Sequence, residues 1–281
     1  MLVATHILSI LLTIGPFVEG VDVGVGLDGG IYVVDAGMHR VTKYSAAGDS
    51  IASFGGFGDG ERGLNRPIAI AAGPGTDIFV ADRNNHRIVR LDRNLAYQST
   101  IARRDADVRS GAFGYPLDVV ASRQGDLYVL DGEHRRVVVF GADGRFLRLI
   151  GDVGAGKGRL HDPIAIDLDE QDRLYVLESN GGILQIYDPF GTFLRRFTLP
   201  GKVGIDRFSV DRGHLCLSVG DSLRLGRLTD RGPEQLSFAF VGITGAGRIL
   251  LRDSLLYVID SNRLAVAEFG ILPVDTLHDR R

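Results

Sequence analysis

The chain has 281 residues, of which 44% are hydrophobic and 24% charged, enough apolar content for a buried core. A net charge of -3 excludes a global attraction to nucleic acid or anionic lipid. The single cysteine, Cys216, excludes an internal disulfide and a cysteine-based zinc site, and its place between Leu215 and Leu217 reads as core.

Residues 1–19 form an apolar segment with two readings. As a signal peptide it has a suitable apolar run, but no Lys or Arg precedes that run, His6 interrupts it and no small-x-small cleavage site follows. As a strand, Leu11 to Gly15 looks like Phe146 to Gly151, an outer strand of a later unit, and would close a ring by completing the last unit. Localisation follows the same fork, cytoplasmic if the segment is the closing strand.

From Gly20 to residue 281 one phrase recurs: an apolar strand, a terminal acid, a polar turn and a second strand. Its copies start at Ile31, Asp77, Leu127, Leu174, Leu215 and Leu256. The strand-ending residues are Asp35, Asp82, Asp131, Glu178, Ser218 and Asp260, spaced 47, 49, 47, 40 and 42 apart. A period in this range with no helical window predicts a radial β architecture. Pro67, Pro116 and Pro163 each stand fifteen residues before the acid, where proline can open a strand. The second strands are apolar on successive residues, as in Tyr128-Val129-Leu130, so both faces are buried. Turn signals at 46–49, 141–144 and 188–191 divide each unit into four strands. The expected fold is all-β: one six-bladed β-propeller of four-stranded antiparallel blades spanning 20–281, with no membrane span.

The segment DRNNHRIV, preceded by a Pro-Ile-Ala-Ile strand and a glycine-containing turn, resembles the NHL repeat. The match is specific at 20–60, 63–101 and 111–150, fair at 158–200 and weak after 201. The resemblance implies a six-bladed ring, and it favours an extracytoplasmic location, as is common for bacterial proteins of this kind.

Three motifs are decoys. Gly24 to Gly29 fits GxGxxG but leads into a strand, and Gly151 to Lys157 has Walker spacing but is followed by Gly158. Asp167-x-Asp169 lacks the loop glycine and closing Glu of an EF-hand. The periodic Asp35, Asp82 and Asp131 are expected to accept hydrogen bonds from the turns that follow them. His39 and His86 are repeat positions expected to bridge to the next blade, and a lone pair of histidines is a poor zinc site.

The candidate ligand-binding residues are Arg40, Arg66, Arg87, Tyr115, Arg136 and His161, on the turns and the long inter-blade loops at 55–66, 102–115 and 151–162. Those loops also carry Arg103, Arg104, Arg109, Asp105 and Asp107. Long loops gathered on one half of a rigid ring read as a sided binding surface or as solvated turns. Asp22 and Asp118, at equivalent places on innermost strands, are the candidate metal residues, with calcium as the ion. Three function classes remain. A non-catalytic scaffold, monomeric and recognising a protein, peptide or glycan, fits a ring without a convergent catalytic cluster. A metal-dependent hydrolase of lactonase or esterase type would use Asp22 and Asp118. RNA binding, which the resemblance implies for some animal proteins, would use Arg40, Arg87 and Arg136, against the acidic total. The amidating lyases of similar repeat need a histidine after the first-strand proline; Ile68, Leu117 and Ile164 stand there, so that activity does not carry over.

Overall fold

A computed structural model describes residues 7–102, 112–179, 182–199, 204–220, 222–239, 248–252 and 254–270. Five sheets are formed from consecutive strands. Blade 1 holds β2 to β5 (Gly20–Val25, Ile31–Asp35, Arg40–Tyr44, Ser50–Gly55), and blade 2 holds β6 to β9 (Pro67–Ala72, Asp77–Asp82, Arg87–Asp92, Tyr97–Ala102). Blade 3 holds β10 to β13 (Pro116–Ala121, Leu127–Asp131, Arg136–Phe140, Phe146–Ile150). Blade 4 holds β14 to β17 (Pro163–Leu168, Leu174–Glu178, Ile183–Tyr187, Phe193–Thr198). Blade 5 holds β18 to β21 (Ile205–Asp211, His214–Val219, Ser222–Thr229, Gly232–Ala239). The sixth sheet combines β22 to β24 (Ile249–Arg252, Leu255–Ile259, Leu264–Gly270) with β1 (Ile7–Ile14) as its outer strand. The first strand therefore closes the ring, pairing antiparallel with the last from Ile7↔Gly270 to Ile14↔Leu264.

The innermost strands β2, β6, β10, β14, β18 and β22 follow one another around the axis, and β22 returns to β2. Six apolar clusters fill the six inter-blade spaces. Second strands such as β7 and β11 contribute to the clusters on both sides of their blade, which is why they are apolar without alternation. Cys216 belongs to the blade 5–6 cluster, and burial pushes its thiol up to about 12.

Basic side chains latch each of blades 1 to 4 to the outer turn of the next. Lys43 Nζ donates to the Arg93 carbonyl at 2.9 Å and Arg90 to that of Ala142 at 3.2 Å. Arg148 donates to the Pro189 carbonyl at 2.6 Å and Arg195 to that of Asp230 at 3.0 Å. Among the described residues no helix is long and apolar enough to cross a membrane.

Candidate functional site

Two sets of buried polar residues shape the ring: one at the strand ends facing the long loops, the other around the central channel. At the strand ends Asp35, Asp82, Asp131 and Glu178 each tie the loop entering their own blade to the turn or strand that follows. Asp82 accepts the Asn65 N–H at 2.7 Å, Asn85 Nδ2 at 2.7 Å and Arg87 Nε at 2.8 Å. Asp131 accepts N–H groups from Gly114, Glu133 and His134, with His134 Nδ1 at 2.7 Å and Arg136 Nε at 3.4 Å. Asp35 serves Val18, Glu19 and Met38, and Glu178 serves His161, Asp162 and Gln185. Buried backbone donors need such partners, and a carboxylate can satisfy several at once.

This arrangement corrects two of the proposed ligand contacts. Arg87 is buried, its guanidinium spent on Asp82 and on the carbonyls of Asp59, Gly60 and Gly63, so it holds the glycine-rich loop. Arg136 is buried against Asp131 and the Ala112 carbonyl. Neither side chain is presented to a ligand, and the RNA reading loses two of its three arginines. Arg40, by contrast, is exposed, as is His161. Arg103, Arg104, Arg109, Asp105 and Asp107 lie outside the described residues.

The turn histidines reach the next blade's incoming loop. His39, His86 and Arg135 share a left-handed backbone, with φ of 52°, 53° and 55°. His39 Nδ1 accepts the Arg66 N–H at 3.0 Å, and the ring packs on Phe57 with centroids 5.2 Å apart. His86 Nδ1 donates to the Gly114 carbonyl at 3.0 Å and packs on Tyr115 at 4.6 Å. Blades 1 and 2 thus each set a turn imidazole against an aromatic ring of the next incoming loop, Phe57 far from the strand proline and Tyr115 directly before it, and both rings stay in solvent. Phe57 is 77% exposed and Tyr115 44%. Val18, Met38 and Val153 are exposed on the same face.

In the channel, a register shift near the start of β2, β6, β10, β14 and β18 leaves the second residue out of the ladder, and the third residue resumes the pairing. Those third residues are Asp22, Ala69, Asp118, Ala165 and Arg207. In blade 6 the Ile259 N–H donates to the Arg248 carbonyl, which gives Arg248 the same station. Where the residue is an acid it satisfies the free edge of the next blade. Asp22 accepts the Ile70 N–H at 2.7 Å and Asp118 the Ile166 N–H at 2.9 Å. One layer further along the axis Asp167 accepts the Val210 N–H and the Ser209 hydroxyl, and Ser209 in turn accepts the Leu251 N–H. An innermost strand is a sheet edge, and these side chains occupy donors that would otherwise be unpaired.

Asp22 and Asp118 face the axis, and the cation they meet is a side chain of the chain itself. Arg248 Nη1 lies 2.8 and 2.7 Å from the two oxygens of Asp118, and Nε lies 3.4 Å from Asp22 Oδ1. Blades 3 and 6 are opposite one another in the ring, so this guanidinium bars the channel across its width. Burial works against the Arg248 charge, but Asp118, Asp22 and Asp167 outweigh it and hold its pKa above the ordinary value. Burial pushes Asp22 up to about 6, with Arg248 opposing and Asp118 adding to the rise. The bar divides the channel. Toward the long loops lies a recess of about 130 Å³ lined by Glu19, Arg66, Arg83 and Arg207. On the opposite face a wider vestibule of about 370 Å³ has Arg248 and Asp167 in its lining. Among the described residues no group of three or more His, Cys, Asp or Glu is placed to hold a metal ion.

Residues 64–91 match the NHL repeat, and residues 115–222 match a 6-bladed beta-propeller family. The chain is a six-bladed β-propeller that carries an NHL repeat. It is 28% identical over 146 residues to the protein brain tumor of Drosophila melanogaster, covering 51% of the chain and 13% of that protein. It is 26% identical over 125 residues to human NHL repeat-containing protein 3, covering 42% of the chain and 35% of that protein. The aligned part is thus a minor share of each relative's length. Among solved structures, a gluconolactonase from Xanthomonas campestris superposes with a TM-score of 0.67 at 16% identity, over 91% of this chain and 87% of that one. A virginiamycin B lyase from Staphylococcus aureus, with quinupristin, gives 0.65 at 13% identity, over 89% and 80%. At such identities the likeness is one of fold.

The decisive residue, Arg248, escaped the sequence reading. Its signal was present: aligning the sixth unit on its strand-ending acid puts Arg248 at the station of Asp22 and Asp118, three blades from the latter.

Proposed function

We propose that this NHL propeller is a non-catalytic docking ring that holds a protein or peptide segment on its long-loop face. The observation that carries the reading is the repeated imidazole–aromatic pair, His39 with Phe57 and His86 with Tyr115. Aromatic rings kept in solvent by rigid neighbours lose little conformational freedom on binding, and such residues dominate protein recognition. The neighbouring apolar Val18, Met38 and Val153 extend the contact, and Arg40, Arg66 and His161 supply a polar rim. The hydrolase alternative draws on Asp22 and Asp118 as ligands of a channel cation. Both carboxylates already bond the next blade and share Arg248, so a calcium ion there would have to displace a buried guanidinium, which favours the docking reading.

The test is selection of random peptides on the full chain, followed by titration of the recovered peptides against the double variant Phe57→Ala, Tyr115→Ala. Docking on this face predicts a loss of roughly tenfold or more in affinity. Equal affinity for the variant would move the contact elsewhere and end the proposal.

A further inference from the structure

The recess above the channel bar carries an unbalanced charge. Its lining brings Arg66 and Arg83 from the blade 2 side and Arg207 from blade 5, directly across the ring, against a single carboxylate, Glu19. Glu19 binds Arg66, with Nη2 to Oε1 at 2.6 Å. Arg207 Nη1 donates to the carbonyl of its neighbour Asp206 at 2.8 Å, and among the described residues the Arg83 guanidinium has no carboxylate partner. Two guanidinium charges are therefore left over in a recess of about 130 Å³. That space suits one carboxylate on a short stem.

Arg66 is also held in place at a cost. It is a non-glycine residue at φ 50°, directly before Pro67, and its N–H is pinned by His39 Nδ1. Tyr115 and Asp162, its counterparts before Pro116 and Pro163, are absent from the residues with positive φ. The strain is specific to the blade whose arginine enters the recess. The recess also adjoins one of the aromatic pairs, since His39 bonds Arg66 and packs on Phe57.

We propose that this recess is an acceptor site for a carboxylate of the docked peptide, either an Asp or Glu side chain or the peptide's own C-terminus. Arg83 and Arg207 grip it from opposite sides, as Arg66 already grips Glu19. The inference rests on the docking reading above and adds the chemistry of the group that enters the ring. Guanidinium groups bind carboxylates through paired N–H donors.

The experiment uses two random dodecapeptide libraries on the full chain, one with free C-termini and one amidated. Recovered peptides are titrated by fluorescence anisotropy against Arg83→Gln, Arg207→Gln and the Phe57→Ala, Tyr115→Ala double variant. Melting curves check that each variant is folded. The expected peptides carry an acid at a fixed position in both libraries, or come from the free-terminus library alone, and these outcomes separate the two sources. Changing that acid to its amide, or either arginine to Gln, should weaken binding roughly tenfold. A peptide with Lys in place of the acid should recover binding to Arg83→Glu. Peptides that need Phe57 and Tyr115 but are indifferent to the acid and both arginines would overturn this inference while leaving the docking reading intact. Peptides indifferent to the aromatic pair would overturn both. Tighter binding of an oligouridine, lost in the same arginine variants, would also overturn it, by assigning the site to phosphate.

Discussion

At the rim of the ring Arg136 and Asp131 lie five residues apart, whereas in the channel Arg248 and Asp118 lie 130 residues apart. Both pairs are buried, yet they are supported differently. The rim arginine divides its donors between one carboxylate and a loop carbonyl, and Arg87 repeats the pattern one blade earlier. The channel arginine answers two carboxylates and joins opposite blades. A local pair secures one loop. A cross-ring pair secures the ring as a whole and closes its centre. Removing one member of a buried ion pair leaves the other charge without compensation, and the damage scales with how many charges are stranded.

The largest effect is therefore expected at Arg248. Arg248→Ala strands Asp22 and Asp118 together and should cost about 3–5 kcal/mol in urea unfolding. Arg136→Ala strands Asp131, which still holds three backbone N–H groups and His134, and should cost about 2 kcal/mol. Equal costs would erase the distinction between rim and channel.

A smaller effect comes from protons. The Asp22 pKa is about 6 in the folded ring against 3.8 ordinarily. A raised folded pKa means that the native state holds the proton more tightly than the unfolded chain. That contribution is full below the ordinary value and is lost as pH rises through about 6. Melting wild type and Asp22→Asn side by side should show the gap moving against the wild type between pH 4 and pH 7. A gap constant with pH would mean that Arg248 keeps Asp22 ionised throughout.

The smallest effect tests the turns. Arg135 sits at φ 55° without the loop contact that His39 and His86 make, so Arg135→Gly should raise stability by up to about 1 kcal/mol. His39→Gly should give no gain, because it forfeits the Arg66 N–H bond and the Phe57 contact.

What could be read from the sequence follows the same division. The blades, their order and the closing role of Leu11 to Ile14 come from a local phrase and its period, so they were legible. So were the strand-ending acids, whose partners lie within about one turn or one loop. Arg87 and Arg136 misled because an arginine beside a polar turn is normally solvated. Here the incoming loop folds back over each of them, a contact 24 to 28 residues distant that no short window contains. Arg248 shows in the sequence only as a repeat station, without its partners, and Arg83 and Arg207 needed the ring itself, because residues brought together only across an axis leave no spacing to detect. Asp22 and Asp118 were proposed as metal residues, and the cation found beside them is Arg248, which was not foreseen.

The closing strand has a consequence for the order in which the molecule is made. Ile10 pairs with Ala267, so within this ring the strand made earliest finds its place only when the last one has been made. Until β24 exists, β1 is an apolar edge with unpaired N–H and C=O groups on both sides, the kind of segment that recruits other chains. Every other blade can assemble from its own consecutive strands while this one waits. The slow, concentration-sensitive step of assembly is therefore expected at the seam, and a chaperone that retains the nascent chain should grip residues 7–14 longest.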